Sequence, residues 1–331
     1  MKKVLILGVT GQDGSYLADI LLEKGYEVYG LVRRSATGNT RNIEHLIQNP
    51  ELFNRRFFLV RGDLADPTSL YRIINSVRPQ EIYNEADQDH VGWSYDMVGL
   101  SADITGAAVG RILEIIRQID PTIRYFQPCT SNMFGKTETI IQTERTPFNP
   151  QSPYACAKVM AYYLVRYYRE AFGMFASNAI LYNHESPRRT EEYVTRKITK
   201  SVARIASGKQ DKLVLGDVSA RIDWGYSREY MEAASQMLQL EKPDDFVIAT
   251  GEAHSVKEFV KEAFAFVGLK AEEYVATDMS LLRPTKTSTL VGDITKARAG
   301  FGFDPKVKFK ELVRLMVEAD LRSEGPIPPV R

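Results

Sequence analysis

Short apolar runs alternate along this chain with stretches whose apolar positions recur every third or fourth residue. Val4-Leu5-Ile6-Leu7 is the first such run, and Tyr16, Leu17, Ile20 and Leu21 after it fall on one face of a helix. Between them lies Gly8-Val9-Thr10-Gly11-Gln12-Asp13-Gly14, so the opening reads strand, glycine turn, helix. The pattern predicts further strands at 27–32, 56–60, 82–83, 125–126, 176–182 and 246–250, and a helix through Ile112, Leu113 and Ile116. Strands alternating with helices predict the α/β class and a doubly wound parallel sheet, because crossover helices cover both faces. The rhythm breaks around Pro187-Arg188-Arg189, Gly216-Asp217 and Arg283-Pro284-Thr285, which predicts a smaller, discontinuous second domain. The expected division is 1–182 plus about 218–251 for the large domain and about 183–217 plus 252–331 for the small one.

The glycine turn has a chemical use. Gly8 would permit a tight turn, Gly11 the close approach of a pyrophosphate, and Gly14 close packing of helix on strand, with phosphate charge at the helix N-terminus. Thr10, Gln12 and Asp13 belong to the same loop and are assigned to a dinucleotide with it. At the end of the second strand stand Arg33-Arg34-Ser35, where an NAD-selective fold usually carries an acid. Two cations and a hydroxyl suit a 2′-phosphate, which favours NADP over NAD; a solvated basic loop is the competing reading. After the third strand, in Gly62-Asp63-Leu64, Asp63 can accept from an adenine amino group or simply cap the turn.

Farther along, Ser152-Pro153-Tyr154-Ala155-Cys156-Ala157-Lys158 places a Tyr and a Lys one helical turn apart. An ammonium beside a phenol favours the phenolate. Tyr154 is therefore expected to have a lowered pKa and to exchange a proton with a substrate hydroxyl near neutral pH, while Lys158 holds a cofactor ribose. The spacing alone is weak; the glycine turn upstream gives it weight.

Composition narrows the partners. At 331 residues and 44% hydrophobic content the chain can bury a large core, and a net charge of +1 gives no reason to expect nucleic acid or a membrane surface. Cys129 and Cys156 cannot make a disulfide framework. With no signal-peptide pattern and no long apolar span, the cytoplasm is the expected location. His45, His90, His184 and His254 are scattered without metal-ligand spacing, so no metal site is expected.

The glycine loop, the Tyr-x-x-x-Lys pair and the C-terminal segments together resemble the extended short-chain dehydrogenases/reductases, which carry a Rossmann sheet, and most closely their GDP-mannose 4,6-dehydratase family. The likeness covers nearly the whole chain. It is carried by His90-Val91-Gly92, Thr146-Pro147-Phe148, Asn183-His184-Glu185-Ser186-Pro187-Arg188-Arg189, Val194-Thr195-Arg196-Lys197-Ile198, Asp223-Trp224-Gly225 and 245–251. The resemblance implies a GDP-sugar substrate and a homodimer or homotetramer. It implies that Thr130 holds the sugar O4, that Tyr154 takes its proton, that Lys158 tunes Tyr154, and that Leu64 joins the cofactor contacts. Asn183, Glu185, Val194, Lys197, Arg221 and Arg283 would line the sugar-nucleotide site, with Lys197 near the guanine and Arg283 near the phosphates.

Several positions depart from the family pattern. After the fifth strand the family has Thr-Ser-Glu, and this chain has Thr130-Ser131-Asn132. The resemblance implies that this Glu moves the protons in the loss of water, and an amide can do neither transfer. A largely neutral Asn-Leu-Ala-Ala-Gln-Ser loop is here Asn84-Glu85-Ala86-Asp87-Gln88-Asp89, which brings three carboxylates close to the cofactor and offers Asp89 to the substrate. The family's Arg before Asp-Trp is Ile222, with Arg221 one place early, and Arg-Pro-Thr-Glu appears as Arg283-Pro284-Thr285-Lys286. The expected activity is oxidation of C4 of a GDP-hexose or GDP-heptose to a 4-keto sugar. The alternatives are a complete dehydratase with Asp89 or another carboxylate replacing the Glu, a 4-ketoreductase or epimerase, and a non-catalytic cofactor-binding regulator.

Overall fold

The computed structural model describes residues 1–36, 38–278 and 288–325. Its centre is a parallel sheet of seven strands among the described residues: β1 (Lys3–Leu7), β2 (Glu27–Val32), β3 (Phe57–Arg61), β4 (Glu81–Asn84), β5 (Arg124–Thr130), β6 (Ala176–Leu181) and, after strands that lie elsewhere, Phe246–Ile248. The spatial order is Phe246–Ile248, β6, β5, β4, β1, β2, β3, with every neighbouring pair parallel. Along β1 the side chains alternate faces, so Val4 and Ile6 join one apolar cluster and Leu5 and Leu7 the other. That is why the strand reads as an unbroken apolar run: both of its faces are buried.

Helices α1 (Gln12–Glu23), α2 (Pro67–Val77), α3 (Ala108–Ile119) and α4 (Pro153–Phe172) cover the sheet. The order of connection reverses between β1 and β4, and in such sheets the ligand crevice opens beyond the C-terminal ends of the strands flanking that point. Gly8 and the 85–89 loop sit there.

A second unit carries its own core. The strands β7 (Asn183–Glu185), β8 (Arg221–Tyr226) and β10 (Ala253–Ser255) pair in the order β10-β8-β7, leaving Phe246–Ile248 as β9 of the large sheet. Around them pack α5 (Val194–Ala206), α7 (Val256–Phe266) and α8 (Phe309–Glu324), burying Ile198, Val202, Trp224, Phe259, Leu312 and Met316. Helix α6 (Ser227–Met237) lies instead against α1 of the large unit. Grouping 218–251 wholly with the large sheet therefore misplaces β8, whose edges are taken by β7 and β10. Among the described residues no helix is long and apolar enough to cross a membrane.

Candidate active site

The glycine loop is built as a cradle. Gly8 has φ +83°, and a side chain there would meet the Glu85 carbonyl oxygen at 2.3 Å; one at Gly14 would meet the Gly8 carbonyl at 2.4 Å. Gly11 caps α1 without a side chain and is exposed, so the first N–H groups of the helix are left to an incoming acceptor. Asp13 stands in that first turn, where its charge would oppose a phosphate. It is turned aside: Ser227 Oγ donates to one oxygen at 2.7 Å and His184 Nε2 lies 2.8 Å from the other. Burial works against the carboxylate, but His184 and Ser227 more than offset it and bring the pKa down to about 2. His184 Nδ1 lies 2.7 Å from the Tyr182 carbonyl. Both ring nitrogens thus face acceptors, which requires the imidazolium, and although burial lowers the His184 pKa, Asp13 raises it above the usual value. Gln12 completes the seam, donating to the His184 carbonyl and accepting from Ser186.

Arg33, Arg34 and Ser35 are exposed at the end of β2, and neither arginine makes an ion pair among the described residues. Asp63 Oδ1 takes the Ala65 N–H at 3.0 Å, so the turn uses one of its oxygens; Leu64 is buried beside it. Thr10 presents its backbone carbonyl to Asn42. These groups fit a nicotinamide dinucleotide: a cradle that a Cβ would fill, an uncapped helix and two unpaired cations at the far end.

At the other end of the crevice Ser152 caps α4 by accepting from the Ala155 N–H, with Pro153 in the first turn, and this sets Tyr154 and Lys158 one above the other. The Lys158 Nζ is 5.7 Å from the Tyr154 ring centre. It donates to the Pro128 carbonyl at 2.7 Å and pairs with Asp87 Oδ2 at 2.5 Å. Burial alone would lower the Lys158 pKa, but Asp87 and then Tyr154 more than offset it, so the ammonium persists.

The sequence expectation for Tyr154 is corrected here. Its hydroxyl is held above the ordinary phenol value: burial dominates, Lys158 pulls down, and Asp87 and Asp89 push up again. The loop carboxylates also differ from expectation. Glu85 is half-buried with one oxygen buried and unpartnered, and burial, then Asp13, lift its pKa well above the usual range. Asp87 is paired. Asp89 accepts from Tyr193 Oη at 2.7 Å and lies 3.8 Å from Arg189 Nη1, whose guanidinium is 3.4 Å over the Tyr193 ring. Of three new carboxyls, one is held toward its protonated form and two face cations.

Thr130 ends β5 beside this group. Its Oγ1 accepts from the Asn132 backbone N–H at 3.2 Å and from Asn132 Nδ2 at 3.1 Å. With both lone pairs taken, its own O–H is left to donate, and the hydroxyl lies close enough to Tyr154 to lower that phenol's pKa. The amide that replaces the family's acid thus occupies the acceptor side of Thr130 and leaves its O–H free to donate.

The remaining expected residues divide. Glu185 is buried, accepts from Thr195 and faces Arg189, joining the Asp89 cluster through it. Asn183 on β7 and Val194 and Lys197 at the start of α5 are half-buried on the small unit's side. Arg221 is not brought in as a phosphate ligand: its guanidinium is spent on Glu258 and the Ala253 carbonyl at the small sheet's exposed edge. Arg283 lies outside the described residues. The pairing of Asp87 with Lys158, the imidazolium of His184 and the stacking of Arg189 on Tyr193 were not read from sequence; the first was signalled by an Asp in a loop otherwise expected to be neutral. Among the described residues no cluster of His, Cys, Asp and Glu could hold a metal.

Comparison with known proteins adds what geometry cannot. The profile of a family described as GDP-mannose 4,6 dehydratase matches residues 5–316. GDP-mannose 4,6 dehydratase 1 of Arabidopsis thaliana is 47% identical over 97% of this chain and 90% of its own length. The human GDP-mannose 4,6 dehydratase is 46% identical over 96% and 91%. Among solved structures, dTDP-glucose 4,6-dehydratase from Bacillus anthracis in complex with NAD superposes with a TM-score of 0.83 at 20% identity, covering 98% of both chains.

Proposed function

Because this chain belongs to the GDP-mannose 4,6-dehydratase family, and is a nicotinamide-dependent enzyme of nucleotide sugars, we propose that it carries out hydride transfer at C4 of a GDP-sugar and stops at the 4-keto stage. The observation that carries this reading is the pairing of an intact Thr130, Tyr154, Lys158 group with an amide at Asn132. The relatives' names support GDP-mannose or a close GDP-sugar as substrate.

The bound nicotinamide would supply the hydride acceptor or donor. Everything else falls to the chain. The glycine cradle and the N-terminus of α1 hold the diphosphate, and Arg33 with Arg34 takes a 2′-phosphate, which favours NADP. Thr130 and Tyr154 face O4, the first orienting and the second moving its proton. Removal of the C5 proton and departure of the 6-hydroxyl need a group that can exchange a proton there, and Asn132 cannot. Asp89 lies near the site, but its bonds to Tyr193 and Arg189 make it a poor substitute base.

A second reading, reduction of a 4-keto sugar, is favoured by one observation: Tyr154 is held in its protonated form, the form that donates to a ketone oxygen. The test is stoichiometry. A dehydratase returns its hydride within each turnover, so free cofactor does not change; this enzyme is expected to accumulate reduced cofactor from NADP⁺ and a GDP-sugar, or to consume NADPH with the 4-keto product. No net redox change with any of a panel of nucleotide sugars would reject the proposal.

A further inference from the structure

The loop after β4 carries a carboxylate that reaches the catalytic helix, and its geometry is more specific than a change of surface charge. Asp87 Oδ2 lies 2.5 Å from Lys158 Nζ, with the lysine side chain 3% and the aspartate 15% exposed. An ammonium has three donors. One goes to the Pro128 carbonyl at 2.7 Å and one faces Asp87, which leaves a single N–H for Tyr154 or a ribose. We infer that Asp87 is a positioning residue which claims the charge of Lys158 and thereby makes Tyr154 a proton donor rather than a base at neutral pH.

The argument is electrostatic. Without Asp87 the phenol would sit beside an uncompensated cation, and ionising it would form an ion pair. With Asp87 the lysine and aspartate already cancel, so ionising Tyr154 adds a net negative charge to a buried site, which costs far more. Of the other groups facing this trio, the anions act in the same direction, several are neutral, and Thr130 acts against them. Asp89 from the same loop adds negative potential, Asp13 is an anion on α1, burial raises the Glu85 pKa and so favours its neutral form, and burial holds the Cys129 thiol protonated. Tyr193 faces Tyr154 as an uncharged phenol, its own ionisation opposed by burial and Asp89, while the Thr130 hydroxyl pulls the Tyr154 pKa down by less than burial, Asp87 and Asp89 each push it up.

The consequence rests on the proposed C4 chemistry. In ketone reduction C4 gains a hydride from reduced nicotinamide, the C=O π bond breaks, and the Tyr154 O–H proton passes to O4. The resulting phenolate regains its proton from solvent. In oxidation the same bonds are traversed in reverse, and Tyr154 must first be deprotonated. Asp87 therefore favours the reductive direction kinetically near neutral pH and moves oxidation to alkaline pH.

Two measurements on the full-length protein test this. Tyrosinate absorbance is titrated for the parent, Asp87→Asn and Asp87→Ala, each minus its own Tyr154→Phe counterpart, so that one phenol is seen without any substrate. The parent is expected to show no Tyr154 ionisation up to about pH 10, and Asp87→Asn to show it at or below about pH 10. Asp87→Glu, which keeps the charge, should behave as the parent. In turnover with NADP⁺ and GDP-mannose, the acidic limb of the oxidation profile should fall by about one pH unit or more in Asp87→Asn. Superimposable Tyr154 titrations in the parent and Asp87→Asn would overturn the inference, whether or not any nucleotide sugar turns over. Asp87→Asn nearly preserves side-chain shape, so it decides the matter even where Asp87→Ala fails to fold.

Discussion

Asn132 donates where a carboxylate would accept, and this reverses the direction of the hydrogen bond at Thr130. An ionised Glu at this position would draw the Thr130 hydroxyl toward itself and away from Tyr154. Asn132→Glu is therefore expected to gain and lose at once. It supplies a group able to move the C5 proton, so some dehydrated 4-keto-6-deoxy sugar should form where the parent forms none, while C4 oxidation slows because the phenol loses its donor. Product masses and initial rates on GDP-mannose check both halves; a variant that yields no dehydrated product and oxidises as fast as the parent would show that Asn132 does neither job. At the far end of the crevice, replacing Arg33 and Arg34 by Ala should weaken NADP binding by about 10-fold or more and leave NAD nearly unchanged, since charge-assisted bonds to one phosphate are lost. Equal weakening of both dinucleotides, measured by calorimetry, would remove that assignment.

Two elements distant in sequence are tied through one ion pair: α1 by Asp13 and β7 by His184, 171 residues apart. Its pH dependence follows from the two shifts. His184 is raised above its usual 6.5, so its contribution is complete below that value and fades as pH rises through the folded pKa. Asp13 is lowered from 3.8 to about 2, so its contribution is complete above 3.8 and fades as pH falls through about 2. Between 3.8 and 6.5 both are in force. His184→Asn should cost about 2–3 kcal/mol there, because it strands a largely buried carboxylate. The loss in Tm relative to the parent should shrink at alkaline pH, and a pH-independent loss would contradict the imidazolium. The elements themselves were legible in the sequence, since apolar period and glycine turns declare a strand or a helix locally: 27–32 is β2 to the residue, and the third strand is displaced by one. The His184 tie was not, because a histidine's partner across the fold leaves no local pattern.

At the scale of the whole molecule, the parallel order of the sheet fixes where the crevice opens, and both the glycine cradle and α4 reach it from elements the sequence identified. The small unit was less legible. Its strands are short, and β8 runs directly into α6 and β9, which belong with the large sheet, so chain proximity pointed the wrong way. Arg221, expected at the sugar nucleotide, pairs in this structure with Glu258, a partner that its place in the sequence does not show. Tyr154 misled through burial, which spacing cannot report. What the sequence did expose was the substitution at 132, because a missing acid is visible as a letter, and the whole account turns on it. The most direct test is the mass of the product formed when the purified enzyme is incubated at alkaline pH, where oxidation is favoured, with GDP-mannose and stoichiometric NADP⁺. The account predicts a product lighter than the substrate by two hydrogens, with one reduced cofactor formed for each. A product lighter by one water, formed at an ordinary enzymatic rate with no net change in the cofactor, would contradict it.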